Sequence, residues 1–377
     1  MSETIPSNSF KIAIVAGEKS GDELGGPLME ALKKSYPDIS FVGIGGDKMT
    51  SQGLNSFFEM NKISVMGIIE PLLNIRKLLR LRKELKAFLL KEAPDIFIGI
   101  DSPDFNLPLA KFLKKTNKTK TVQYVSPSVW AWRKGRVKSM EKFIDSVLTL
   151  FPFEEVSYMD SMINVSYVGH PLSYYIKMDE KDLNKKIDKS IALLPGSRNS
   201  EITQIGNLMV KAARELKKEN PEYTFFMPLA SRHHLALLEE GTDDIINISY
   251  GDSQEVLKKS KLAIITSGTA TLESVLSFTP CVTLYRTNWL SYKLIKPLLT
   301  IEYFSLPNLI SGKKLLPELL QDELTTENIK NSLDDIHRKG FEYYLEEFKS
   351  LKDSLQAGGA LKASQEIIKL LNDSSRS

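Results

Sequence analysis

The chain has 377 residues, is 42% hydrophobic and 26% charged, and carries a formal net charge of +3. That is the make-up of a globular protein of about two domains, and it excludes fibrous, low-complexity and disulfide-built classes. So small a net charge gives no nucleic-acid footprint, no nucleic-acid partner is expected, and any basic surface has to come from local clustering.

From Met1 to Ser9 the chain is polar, with Glu3 its only charged side chain, and it lacks the basic and apolar regions of a secretory signal. A cytoplasmic location is expected. The most apolar long stretch, Leu262 to Leu284, is interrupted by Glu273 and by Ser and Thr residues, so membrane contact is expected to be peripheral. The single cysteine, Cys281, lies in a Pro-Cys-Val-Thr-Leu run and reads as a buried strand residue.

Short β-branched runs alternate with longer amphipathic segments, the pattern of βαβ units around parallel sheets. Strands are expected at Lys11–Val15, Ser40–Ile44, Asp95–Ile100, Lys120–Val125, Ser146–Leu150 and Ser166–Val168, with helices at Asp22–Ser35, Leu72–Lys91, Asn106–Thr116 and Arg133–Phe143. The chain turns charged and strand-poor after His170-Pro171, which suits a connection between domains. A second set follows, with strands at Ile191–Leu194, Tyr223–Met227, Ile245–Ser249, Leu262–Ile265 and Cys281–Leu284 and helices at Glu201–Lys218, His233–Glu240, Ser253–Lys259 and Thr269–Ser277. The expected fold class is α/β, with two Rossmann-like domains, residues 1–172 and 173–355, facing a cleft. Residues 356–377 form a last helix that is a candidate to pack back on the first domain. Open parallel sheets bind ligands beyond the carboxyl ends of their strands, so the chemistry is sought in the loops found there.

The loop after the first strand concentrates Glu18, Lys19, Ser20 and Asp22 around two glycines, Gly17 and Gly21. It matches neither the Walker spacing nor G-x-G-x-x-G, so it is either a tight turn without a ligand or a lining of the cleft. At Gly99-Ile100-Asp101-Ser102-Pro103-Asp104-Phe105-Asn106 an apolar strand runs into two carboxylates. Asp104 or Asn106 can cap the next helix, whereas Asp101 at the lip of a central strand can accept a proton from a hydroxyl. Ser128, Trp130, Trp132 and Arg133 follow another strand and suit either core packing or a sugar platform.

In the second domain, Gly196, Ser197 and Arg198 lead from a strand into a helix carrying Glu201, so backbone N–H groups and a guanidinium converge on an anion such as a diphosphate. Ser267, Gly268, Thr269, Thr271 and Glu273 repeat the arrangement, with a carboxylate placed for ribose hydroxyls. A capping box explains a single threonine there, but not two strand-turn-helix sites in one domain. A further segment, Val65, Met66, Ile68 and Leu72 followed by Arg76, Lys77 and Arg80, is either a solvated helix face or a basic, apolar-edged patch for an anionic leaflet. The four histidines, at 170, 233, 234 and 337, lack ligand spacing and no D-x-D occurs, so a metal-free reaction is expected.

AGEKSGD, VMGIIE, GIDSPDFN, YVSPSVWAWR, VGHPL, LPGSR with Glu201, SGTATLE and SLPNL, in that order and over nearly the whole chain, resemble the signature segments of the lipid-A-disaccharide synthases. SPSVWAWR and GID-x-PDFN are the most specific, and Ser102 fills a variable slot. The resemblance implies an inverting glycosyltransferase of GT-B type in the lipid A pathway of the Gram-negative outer membrane. It would join UDP-2,3-diacylglucosamine to 2,3-diacylglucosamine 1-phosphate, give a β-1,6-linked disaccharide 1-phosphate and release UDP.

On that resemblance the first domain faces the acceptor and membrane and the second binds the nucleotide sugar. Asp101 is the base for the acceptor 6-hydroxyl, Arg198 with the amides of Gly196 and Ser197 stabilises the diphosphate, and Glu273 takes the ribose. Arg286 and Asn308 are further candidates for the nucleotide. The UDP-sugar is a substrate and no cofactor or metal is expected. The implied partners are the two substrates and the anionic inner face of the inner membrane, with a second copy of the chain as a candidate. Two rivals remain, a UDP-N-acetylglucosamine 2-epimerase and a non-catalytic nucleotide-sugar or lipid-binding protein.

Overall fold

A computed structural model describes residues 10–64, 71–132, 135–287, 292 and 301–374. The chain divides into two compact units, Met1–Pro171 with Gln356–Ser377, and Leu172–Leu355.

The first unit is built on strands β1 (Lys11–Ala16), β2 (Ser40–Ile44), β3 (Leu54–Ser56), β4 (Ile96–Ile100), β5 (Lys120–Tyr124), β6 (Ser146–Thr149) and β7 (Asn164–Tyr167). They form one parallel sheet in the order β3-β2-β1-β4-β5-β6-β7. β1 and β4 are apolar and almost entirely buried, as expected of central strands covered on both faces. The order reverses between β1 and β4, so connections leave these two strands in opposite directions and open a crevice at their carboxyl ends. The C-terminal helix Gly359–Ser374 belongs to this unit. Its buried Ala363, Ile367 and Leu371 follow the helical period, it packs on helix Lys19–Ser35, and Asn372 accepts a hydrogen bond from Tyr36 at 2.9 Å.

The second unit contains β8 (Ile187–Leu194), β9 (Thr224–Leu229), β10 (Ile246–Tyr250), β11 (Ser260–Thr266), β12 (Cys281–Tyr285) and β13 (Glu318–Leu320), again parallel, in the order β10-β9-β8-β11-β12-β13. Its reversal falls between β8 and β11. Cys281 is fully buried in β12 and desolvation pushes its thiol up to about 11, which fits a packing residue rather than a reactive thiol.

Two expectations change. β3 and β13 are three-residue edge strands, too short for a period of two to show in the sequence. The helix expected at His233–Glu240 is a 3₁₀ turn over Arg232–Leu237, where the Ser231 hydroxyl and Asn199 take the two ring nitrogens of His233 at 2.8 and 3.1 Å.

Candidate functional site

In the second unit, β8 ends at Leu194 and the chain turns through Gly196, whose φ of +99° suits glycine alone. A β-carbon at that position would also overlap the Glu201 carboxylate. Helix begins at Asn199, passes through a π turn over Ile202–Gly206 and continues over Asn207–Glu219. Glu201 folds back on the turn: Oε2 accepts the amides of Ser197 (3.0 Å) and Arg198 (3.2 Å), and Oε1 pairs with Arg198 Nη1 at 2.6 Å. The amides of Ser197 and Arg198 and the Arg198 guanidinium thus converge on the Glu201 carboxylate. Glu201 thereby orients Arg198 and shapes the loop.

Across the strand reversal, β11 ends at Thr266 and Ser267-Gly268-Thr269 lead into helix Ala270–Leu276. These two turns, with Pro228, Leu229 and Ala230 at the end of β9 and Gly251 and Ser253 beyond β10, line a pocket of about 510 Å³. Glu273 stands on its wall, with Ser253 Oγ donating to it at 3.4 Å, and burial raises its carboxyl above the ordinary range. Gly196, Ser197, Arg198, Glu201, Ser267, Gly268, Thr269 and Glu273 are brought together here.

Three expected members are not part of that wall. Thr271 is fully buried and its hydroxyl donates to the Gly268 carbonyl at 2.8 Å, closing the turn. Arg286 is exposed beyond the end of β12. Asn308 is buried, its Nδ2 donating to the Leu316 carbonyl and to Glu318 (both 2.9 Å) while Oδ1 accepts the Leu316 amide at 2.8 Å. Both donors of its carboxamide are spent on holding helix Leu306–Ser311 to the chain before β13, which corrects its expected place in the nucleotide set.

In the first unit Asp101 leaves β4 with φ +50° and Ser102 follows with φ +40°, two successive left-handed residues that are not glycine. Strain of this kind persists only where surrounding bonds over-determine the backbone, and it gathers at functional sites. Burial raises the Asp101 carboxyl above the usual carboxylate range, and the Ser102 amide, donating to it, opposes the rise. Capping of the next helix by Asp104 or Asn106 is not observed: Pro103 opens the helix, and Asn106 Nδ2 instead reaches back to the carbonyls of Ile100 (3.1 Å) and Asp101 (2.9 Å). Asp104 is exposed and pairs with Arg136 at 2.5 Å.

The other candidates of this unit divide. Asp22 is buried and its carboxylate accepts the amides of Gly46 (2.9 Å), Lys48 and Met49 (both 3.0 Å), a structural role that replaces cleft lining. Glu18, Ser20 and Ser128 are exposed, and Trp130 and Trp132 are half-buried. Trp130 meets Phe153 edge-on at 5.0 Å and shares a side-chain hydrogen bond with Glu154. Arg133 lies outside the described residues.

Sequence reasoning missed Glu154. It is buried, its Oε2 accepts the amides of Leu150 (2.9 Å) and Phe151 (3.0 Å), and desolvation lifts it to about 7. A lone glutamate after a Phe-Pro-Phe run carries no motif that would single it out.

Val65, Met66 and Ile68 also lie outside the described residues; Leu72 belongs to helix Pro71–Glu92. Arg76, Lys77 and Arg80 are exposed, Leu79 among them is 53% exposed, and Arg80 pairs with Glu84 at 3.0 Å. Arg82 and Lys86 instead lie over Phe105 and Phe112, at 5.4 and 5.0 Å from the ring centres. Among the described residues no helix is long and apolar enough to cross a membrane, and no group of three or more His, Cys, Asp or Glu could hold a metal ion.

The family model described as lipid-A-disaccharide synthetase matches residues 12–364 of the chain. The lipid-A-disaccharide synthase of Idiomarina loihiensis is 41% identical over 365 residues, covering 94% of this chain and 96% of that relative. Among solved structures, the glycotransferase of kitacinnamycin superposes with a TM-score of 0.65 at 13% identity, covering 97% of this chain and 100% of the other. A UDP-N-acetylglucosamine 2-epimerase from Neisseria meningitidis bound to UDP-GlcNAc gives a TM-score of 0.63 at 14% identity, over 96% and 100% of the two chains. At such identities the superpositions speak for the fold, which a transferase and an epimerase share, while the family and sequence matches separate the two.

Proposed function

The chain belongs to the lipid-A-disaccharide synthetase family and is a UDP-sugar-dependent glycosyltransferase of GT-B architecture acting in lipid A biosynthesis, and from that premise we propose how its residues divide the reaction. The pocket at the strand reversal of the second unit takes the UDP of UDP-2,3-diacylglucosamine. The strand ends around Asp101 take the sugar of 2,3-diacylglucosamine 1-phosphate.

Inversion at the anomeric carbon needs one displacement, hence one base and one stabilised leaving group. The Asp101 carboxylate accepts the proton of the acceptor 6-hydroxyl as that oxygen bonds to the anomeric carbon, and the bond from this carbon to the diphosphate oxygen breaks with its electron pair leaving on UDP. Desolvation makes Asp101 a stronger base than an exposed aspartate. Arg198 and the turn amides of Gly268 and Thr269 face the charge that grows on the diphosphate, with Glu273 at the ribose. The single observation that carries this reading is Asp101 itself, a desolvated carboxylate held in a strained turn at the strand reversal of its sheet.

Both substrates are acylated, and the exposed Arg76, Lys77 and Arg80 beside Leu79 give a basic, apolar-edged face suited to the anionic inner leaflet of the inner membrane. UDP release in detergent micelles, with and without acceptor, tests the reading. Release that depends on acceptor supports it, release without acceptor points to an epimerase or hydrolase, and binding without release points to a non-catalytic module.

A further inference from the structure

We propose that Gln123 is a positioning residue for the base: its buried carboxamide clamps the carboxyl ends of β4 and β5 together, so that the Asp101 carboxylate is presented to the acceptor in one orientation. The proposal rests on the reading of Asp101 as base.

Two neighbouring strands end in strain. Asp101 and Ser102 follow β4 in the left-handed region, and Val125 follows β5 with φ +76°, a conformation that β-branched residues almost never adopt. The amides of both strand ends stay in the sheet, Asp101 N–H donating to the Tyr124 carbonyl (2.8 Å) and Val125 N–H to that of Leu148 (2.9 Å). Their carbonyls turn out of the ladder and need donors, because a buried carbonyl left unmet is costly. Gln123 supplies them from one atom: Nε2 donates to the Asp101 carbonyl at 3.1 Å and to the Val125 carbonyl at 3.2 Å. Asn106 Nδ2 adds a second donor to Asp101.

The site is built around these amides. Gln123 is 1% exposed, and a β-carbon at Gly99 would stand 2.7 Å from Asn106 Cβ and 3.2 Å from Gln123 Oε1, so glycine there leaves room for both. Gln123 points from within β5 toward the strand ends and has no part in any motif of the chain. Without it the two strained ends lose their common donor, the turn relaxes toward ordinary backbone angles, and the carboxylate moves with it.

The test is Gln123→Met, which keeps the length and removes both donors, assayed with the full chain in micelles beside Asp101→Ala and the double variant. Thermal unfolding confirms that each chain is folded. The expected result is a fall in kcat of about tenfold or more with both KM values little changed, and no further fall when Gln123→Met is added to Asp101→Ala. Gln123→Asn, which keeps the carboxamide but is one methylene short of bridging both carbonyls, serves where the Met variant fails to fold and is expected to lose kcat in the same way. A folded Gln123→Met with native kcat, or an equal further loss in the Asp101→Ala background, overturns the clamp and leaves the base standing. An Asp101→Ala chain at native rate overturns the base assignment and the clamp together.

Discussion

Arg198 and Glu201 pair at 2.6 Å while the second oxygen of the same carboxylate holds the amides of Ser197 and Arg198. The guanidinium is thus held by Glu201 at the wall of the pocket, where the diphosphate of the proposed donor would compete with that carboxylate for it. A hydrogen bond to a charged group contributes about 1.5–3 kcal/mol. Arg198→Ala is expected to raise the KM for UDP-sugar by roughly 10- to 100-fold, and Arg198→Lys, which lacks the planar fork, to recover only part of the loss. Steady-state kinetics on both variants check this.

In the proposed division of roles Glu273 contacts the ribose rather than the reacting centre, so its loss should appear in binding. Glu273→Gln is expected to raise the donor KM by about tenfold and leave kcat nearly unchanged, the pattern of a contact made equally in ground and transition states. A donor with a 2′-deoxyribose should lose affinity with the native chain and lose little more with the variant.

Stability should depend on pH through two buried groups of opposite sign. Glu154 is raised from 4.5 to about 7, so the folded chain holds the extra proton; its contribution is fully present below pH 4.5 and is lost as pH rises through 7. His170 is lowered from 6.5 to about 4, so its contribution is present above pH 6.5 and lost as pH falls through 4. Between pH 4.5 and 6.5 the two slopes oppose each other. Glu154→Gln removes one of them, and unfolding free energies of the variant from urea titrations are expected to climb more steeply from pH 4.5 to 6.5 than those of the native chain, by on the order of 3 kcal/mol across the Glu154 window.

Replacing Arg76, Lys77 and Arg80 with Ser is expected to weaken sedimentation with anionic vesicles while thermal unfolding stays as it is, since all three are exposed. About 1 kcal/mol per cation near an anionic surface makes the combined effect easily visible. Unchanged partitioning would locate membrane contact elsewhere.

How much of this was legible in the sequence depended on the kind of signal. The central strands were plain because a strand buried on both faces must be almost wholly apolar, as in IFIGI at 96–100, and the pocket loops were plain because small residues gather where such strands end. Residues acting through their environment were not. Asn308 and Asp22 look like ligand-binding polar side chains, and only the fold shows that their bonds are spent on Leu316, Glu318 and the amides of Gly46, Lys48 and Met49. Glu154 and Gln123 sit in ordinary segments and gain their parts from carbonyls and amides brought from elsewhere in the sheet. Side chains that face a backbone leave no periodic trace in a sequence.

The most direct measurement is single-turnover sugar transfer by the native chain and by Asp101→Ala and Asp101→Asn, with the affinity for UDP-sugar measured on the same samples. General-base catalysis contributes about 10²- to 10⁴-fold, so both variants are expected to lose that much in rate while binding UDP-sugar as the native chain does. Transfer at native rate by either folded variant would contradict the assignment of Asp101 as the base.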